Sequence, residues 1–116
     1  KERKTPNVNT TTTQVFHIEK DGFDVICDAA DNILTDMELL KKIRQWRYEK
    51  AKDLKIRPYV IFNNVTLVDL ATRQPMTREE LLTISGIGEK KVELYGDEIV
   101  MIIQRYNQLI DTTNIK

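Results

Sequence analysis

Two groups of residues in this chain are of types and spacings that could do chemistry. The first lies in residues 33–60, which carry eight Lys/Arg and four Asp/Glu; all eight basic residues fall between Lys41 and Arg57. Projected as a helix with Leu40 at zero, Arg44 falls at about 40°, Lys55 at about 60°, Tyr48 at about 80°, Lys41 at about 100° and Lys52 at about 120°. Four cations thus surround one aromatic on a single stripe. Cations that track phosphates and a ring on which a base can stack are what a single-strand platform requires. Each phosphate neutralised would release counterions, making affinity strongly salt-dependent. The same pattern also describes a solubilising helix face with a half-exposed tyrosine.

The second group is Gly86-Ile87-Gly88, followed by Lys90 and Lys91. The glycines permit a sharp reversal. The amides of the helix start that follows, flanked by two lysines, are a seat for a phosphate. A turn of this kind also serves simply to bring two helices close together. Glu89, Glu93, Asp97 and Glu98 offset the lysines, so the local field is not positive, and Lys90 and Lys91 could pair with Glu93 or Asp97 instead. The basic stripe is therefore the stronger candidate for contact with an anion.

No other constellation organises chemistry. The single cysteine, Cys27, and single histidine, His17, form neither a disulfide nor a soft-ligand cluster. The acids are scattered, with no nucleophile and base to arrange, so no catalytic residue and no metal ligand is assigned. Arg47 falls within an apolar face, where an arginine needs a partner, and reads as a structural residue bonding carbonyls or an acid. Trp46 reads as packing, and Tyr59 and Tyr95 as core or turn-locking residues. His17 is assigned no role.

The bulk numbers frame these groups. Eighteen basic and eighteen acidic residues give zero net charge, which excludes a protein coated in basic surface; the distribution carries the signal. At 116 residues the chain makes one compact domain, large enough to bury about two-thirds of its unfolded surface without a staple. It has no signal peptide and no apolar run of membrane length, which sets a cytoplasmic expectation. A start at Lys1 rather than Met suggests a piece of something longer.

The elements that must position the two groups follow from caps and periodicity. Residues 1–13 are polar and aperiodic and read as a linker. Residues 14–32 read as a hairpin extension, with Asp21-Gly22 as a two-residue turn that sets Ile18 opposite Val25. Thr35 and Glu38 form a capping box for a long helix reaching Leu54 or Lys55, with Leu40, Ile43, Arg47, Ala51 and Leu54 along its apolar face. Arg57-Pro58 ends it, and Tyr59-Val60-Ile61-Phe62 is an apolar connector in the core. Asn64 can cap a helix that turns Leu67, Leu70 and Ala71 inward. Thr77 and Glu80 box the helix before the glycine turn, and Gly96 is placed to stop the one after it in a left-handed conformation. A last helix runs from Asp97 to about Ile110. The chain is thus all-α, a five-helix bundle with a β-hairpin before it.

The Gly86–Gly88 spacing resembles the hairpin of helix-hairpin-helix DNA-binding modules. A wider resemblance covers residues 36–110. Leu39-Leu40-Lys41-Lys42-Ile43-Arg44-Gln45-Trp46-Arg47, then Pro58-Tyr59-Val60-Ile61-Phe62, Pro75, Glu79-Glu80-Leu81-Leu82 and Ile84-Ser85-Gly86-Ile87-Gly88-Glu89-Lys90-Lys91 closing on Tyr95-Gly96 resemble the HRDC (helicase and RNase D C-terminal) domain. The domain is placed at 33–116. The resemblance implies a five-helix fold and a nucleic-acid-associated accessory role in a RecQ-family helicase. Such a parent would unwind DNA with 3′–5′ polarity in repair and recombination, using ATP and Mg; no cofactor is expected in this chain itself. Expected partners are single-stranded or branched DNA and the helicase core of the same polypeptide, with no membrane contact and a monomeric state. Two alternatives stand beside this: a docking module with little DNA affinity, presenting the 15–27 segment or Trp46, and the equivalent domain of an RNase D-type ribonuclease.

Overall fold

The computed structural model describes residues 16–114, with side chains as far as Leu109. The expected linker at 1–13 and the first residues of the hairpin extension lie outside the described residues. Strands β1 (Phe16–Lys20) and β2 (Phe23–Cys27) pair antiparallel, with Ile18 opposite Val25 as the turn chemistry predicts. Asp21 (φ 54°) and Gly22 (φ 87°) are both left-handed, the geometry of a two-residue turn that matches strand twist. Strand β2 alternates: Phe23, Val25 and Cys27 are buried, while every residue of β1 is exposed.

Five helical segments follow. Helix α1 (Met37–Leu54) is capped by Asp36, whose side chain accepts from the amides of Glu38 and Leu39, and not by Thr35. Thr35 has been recruited elsewhere. It is buried, its hydroxyl accepts from the Ile26 amide (2.9 Å), and it bonds the Thr72 hydroxyl at 2.7 Å. Pro58 occupies the first turn of a short helix α2 (Pro58–Ile61), where its missing N–H costs nothing. That turn sends Ile61 and Phe62 inward and leaves Tyr59 and Val60 outside, so only half of the expected apolar connector is core. Helix α3 (Asn64–Arg73) is capped by Asn63, one residue before the expected Asn64.

Helix α4 (Arg78–Leu81) starts as expected. The Thr77 hydroxyl accepts from the Glu80 amide, and the Glu80 carboxylate reaches back to the Met76 amide at 2.7 Å. After the glycine turn, helix α5 begins at Glu89–Lys91, widens into a π-helical turn over Val92–Gly96 and continues through Asp97–Asn114. Gly96 therefore does not stop a helix. A Cβ there would sit 3.1 Å from Val92 Cγ1 and 3.4 Å from Leu81 Cδ1, so the glycine lets α4 lie close against the wide turn.

Leu39, Leu40 and Ile43 of α1 meet Ile61 and Phe62, Leu67 and Leu70 of α3, Leu81, and Ile99 and Ile103 of α5 in one core, with Val25 added by the hairpin. Each such side chain contributes about 1.5–3 kcal/mol when fully buried. Trp46, Phe62 and Tyr95 pack as an aromatic trio with ring centroids 5.8–6.1 Å apart. Leu54, expected on the apolar face of α1, is exposed because the helix ends there. Among the described residues no helix is long and apolar enough to cross a membrane.

Candidate nucleic-acid interface

Helix α1 sets the stripe. Its opposite side is fixed in the core by Leu39, Leu40, Ile43 and Ala51, which turns Lys41, Arg44, Tyr48 and Lys52 to solvent. Tyr48 is 56% exposed, and the Lys52 ammonium lies 5.9 Å from its ring centroid. A cation held over the ring face in this way is attracted by the ring quadrupole. Lys55 departs from the projection. It adopts the left-handed conformation (φ 60°) that closes α1, its amide donating to the last turn, so the helical angle no longer describes it. It remains exposed at the end of the stripe.

Among the described residues the cations of the stripe are not drawn into ion pairs. Of the four acids of residues 33–60, Asp36 caps α1, and Glu38, Glu49 and Asp53 project at about 160°, 180° and 220°, beyond the edge of the stripe. Among the described residues Lys41, Arg44, Lys52 and Lys55 form no ion pair. Lys50, by contrast, is bound to Glu98 at 2.7 Å. The Arg44 guanidinium stands 5.6 Å from the centroid of Phe23, which ties the stripe to the hairpin.

Arg47 does what its position predicted. Its Nη1 donates to the Phe62 carbonyl at 2.8 Å and to Asn64 Oδ1 at 3.1 Å, while Nε has no partner among the described residues. Burial, and then the nearby Arg44 charge, lower its pKa, although a guanidinium stays charged throughout the useful range. Trp46 is half-buried and donates its indole N–H to Glu98 at 2.8 Å, so it offers no exposed docking surface. Burial works to raise the Glu98 pKa, but the bonds from Lys50 and Trp46 outweigh it and hold the carboxyl below its ordinary value.

The glycine turn is pressed against α3. The Thr66 hydroxyl donates to the Ser85 carbonyl at 2.9 Å, and a Cβ on Gly86 (φ 90°) would run into that hydroxyl. Gly88 leads into α5 with no side-chain cap. Lys91 pairs with neither Glu93 nor Asp97. It donates to the Val60 carbonyl at 3.2 Å and lies 5.6 Å from the Phe62 ring centroid, while Asp97 is held by Arg78. Lys90 is exposed. Close packing is thus the turn's evident use, with one of its two lysines already committed.

Tyr59, expected in the core or locking a turn, is turned outward instead. It is 62% exposed and lies beside Val60, whose carbonyl holds Lys91.

Comparison with known proteins bears on the fold and the family. The family model of the HRDC domain matches residues 36–103. The ATP-dependent DNA helicase RecQ of Bacillus subtilis is 36% identical over 74 residues, which is 64% of this chain and 12% of that protein. The ATP-dependent DNA helicase UvrD2 of Mycobacterium tuberculosis is 35% identical over 69 residues, 60% of this chain and 10% of that one. The chain therefore spans about a tenth of the length of these relatives. A solved structure of the D. radiodurans RecQ HRDC domain 3 superposes with a TM-score of 0.59 at 38% identity, covering 66% of this chain and 96% of that one.

Proposed function

Because the chain belongs to the HRDC domain family, we propose that it is an accessory module that helps an ATP-dependent DNA helicase engage single-stranded or branched DNA. Contact is made through Lys41, Arg44, Tyr48 and Lys52, with Lys55 at the end of the stripe. The observation that carries this reading is the exposed Tyr48 ring with Lys52 beside it, on a helix stripe of cations. Phosphates would follow the cations while a base stacks on Tyr48. The parent protein would supply ATP hydrolysis with Mg and 3′–5′ translocation from residues outside this chain, in repair and recombination. The sequence preceding Lys1 tests that part: a phosphate-binding loop marks a helicase, and a set of exonuclease carboxylates marks an RNase D-type host.

Titration of the 116-residue chain with labelled oligothymidylate tests the interface. Tyr48→Ala should weaken binding by about 1–3 kcal/mol. Lys41→Glu should weaken it and flatten its salt dependence. An affinity indifferent to both substitutions would overturn the reading. One observation favours docking as a second reading: Phe16 and Ile18 on β1 are 43% and 41% exposed. Under that reading the chain binds DNA no better than a neutral protein and sits against the helicase core.

A further inference from the structure

The β-hairpin lies outside residues 36–103, yet it touches the stripe. Its turn and the first half of α1 enclose a groove of about 390 Å³, lined by Asp21, Phe23, Met37, Leu40, Lys41 and Arg44. Phe23, Met37 and Leu40 supply its apolar lining, and Asp21, Lys41 and Arg44 its charged lining. Lys41 and Arg44 are three residues apart on one helix and hence neighbours on its surface. The Phe23 ring, itself buried, faces the Arg44 guanidinium at 5.6 Å and biases where that flexible side chain lies.

The wall cannot swing freely. Val25 is wholly buried, the Ile26 amide donates to Thr35 Oγ1, and the Ile26 carbonyl accepts from the Leu34 amide at 2.8 Å. The groove wall is therefore anchored, and Tyr48 follows Arg44 one turn further along α1.

We propose that the hairpin is a working wall of the interface: groove and stripe form one track, in which the groove takes a nucleotide of the single strand whose neighbouring base stacks on Tyr48. This rests on the interface reading above. Lys41 and Arg44 meet the phosphodiester, Arg44 as a planar fork and Lys41 as a point charge. The apolar lining accepts the sugar and the edge of the base, which a free inorganic anion could not use. Asp21 is the one acid at the rim. Its carboxylate opposes a phosphate at the turn, so it limits how far the strand runs in that direction.

The test is a fluorescence-anisotropy titration of labelled oligothymidylate with the 116-residue chain across a salt series. Phe23→Leu, which leaves Arg44 untethered, should weaken binding by about two- to fivefold. Arg44→Gln should lower the magnitude of the slope of log K against log salt by about 0.7, one single-strand phosphate contact. Asp21→Asn should tighten binding, and because Asn tolerates a left-handed conformation the turn persists even if Phe23→Leu disturbs the hairpin. If Asp21→Asn and Phe23→Leu bind like wild type while Tyr48→Ala and Arg44→Gln are impaired, the hairpin proposal falls and the interface reading stands. If wild type does not bind at low salt, both fall.

Discussion

Arg47 and Tyr48 are adjacent in sequence and point to opposite jobs, and the reason is the 100° between them on α1. Arg47 is turned toward the bundle, where it holds the Phe62 carbonyl and Asn64; Tyr48 is turned to solvent among unpaired cations. Arg47→Met keeps the apolar stem but leaves the Phe62 carbonyl without its donor, and an unsatisfied buried acceptor costs about 1–3 kcal/mol. Urea denaturation should show that loss, while the salt slope of oligonucleotide binding stays as in wild type. A variant of unchanged stability but reduced slope would make Arg47 a phosphate ligand instead. Arg47 was legible in the sequence because a cation on an apolar face has few explanations. Tyr59 was not, because its exposure depends on where the short turn begined by Pro58 meets the core.

At the scale of elements, the glycine turn makes the sharpest contrast. Gly86 is left-handed and faces the Thr66 hydroxyl, whereas nothing lies within 4 Å of a Cβ on Gly88, whose backbone is extended (φ −105°). Gly86→Ala should therefore cost more than about 1 kcal/mol, through strain and displacement of Thr66. Gly88→Ala should stay within about 0.5 kcal/mol of wild type. Thermal melts of the two variants decide it, and equal losses would contradict the packing account. The helices themselves were readable from periodicity, and the hairpin register from Asp21-Gly22. The caps were misread by one residue at α1 and α3 for a tertiary reason. Thr35 is a competent cap locally, though weaker than Asp36, and its hydroxyl is taken by Ile26 and Thr72, contacts that no local pattern announces. Gly96 was misread for the same kind of reason: its role is set by Leu81 and Val92 across the turn, not by the end of a helix.

At the scale of the whole molecule, the two longest helices are joined at both ends, which holds the stripe-bearing α1 rigid. At one end Glu98 of α5 takes bonds from Trp46 and Lys50. At the other, the Tyr106 hydroxyl donates to Asp36 Oδ1 at 2.7 Å, the same oxygen that caps α1. The Glu98 carboxyl titrates below its ordinary value, so its contribution is present above the unfolded value and is lost as pH falls through the folded one. Glu98→Gln should accordingly flatten the acid limb of stability. Tyr106 works in the opposite sense. Burial, then the bond to Asp36 and its charge, raise the phenol well above the unfolded value of about 10. The folded state thus holds that proton more tightly, and the stabilisation is fully present below about pH 10 and is lost as pH rises toward the folded value. Tyr106→Phe keeps the ring and removes the bond, so it should cost about 0.5–1.5 kcal/mol at pH 7. Urea titrations at pH 7 and pH 11 should show the gap between wild type and variant narrowing at the higher pH, since only wild type loses the contribution of this phenol. A gap that stays constant across that range would mean that Tyr106 stabilises through packing alone and that the bond to Asp36 does not join the two helices.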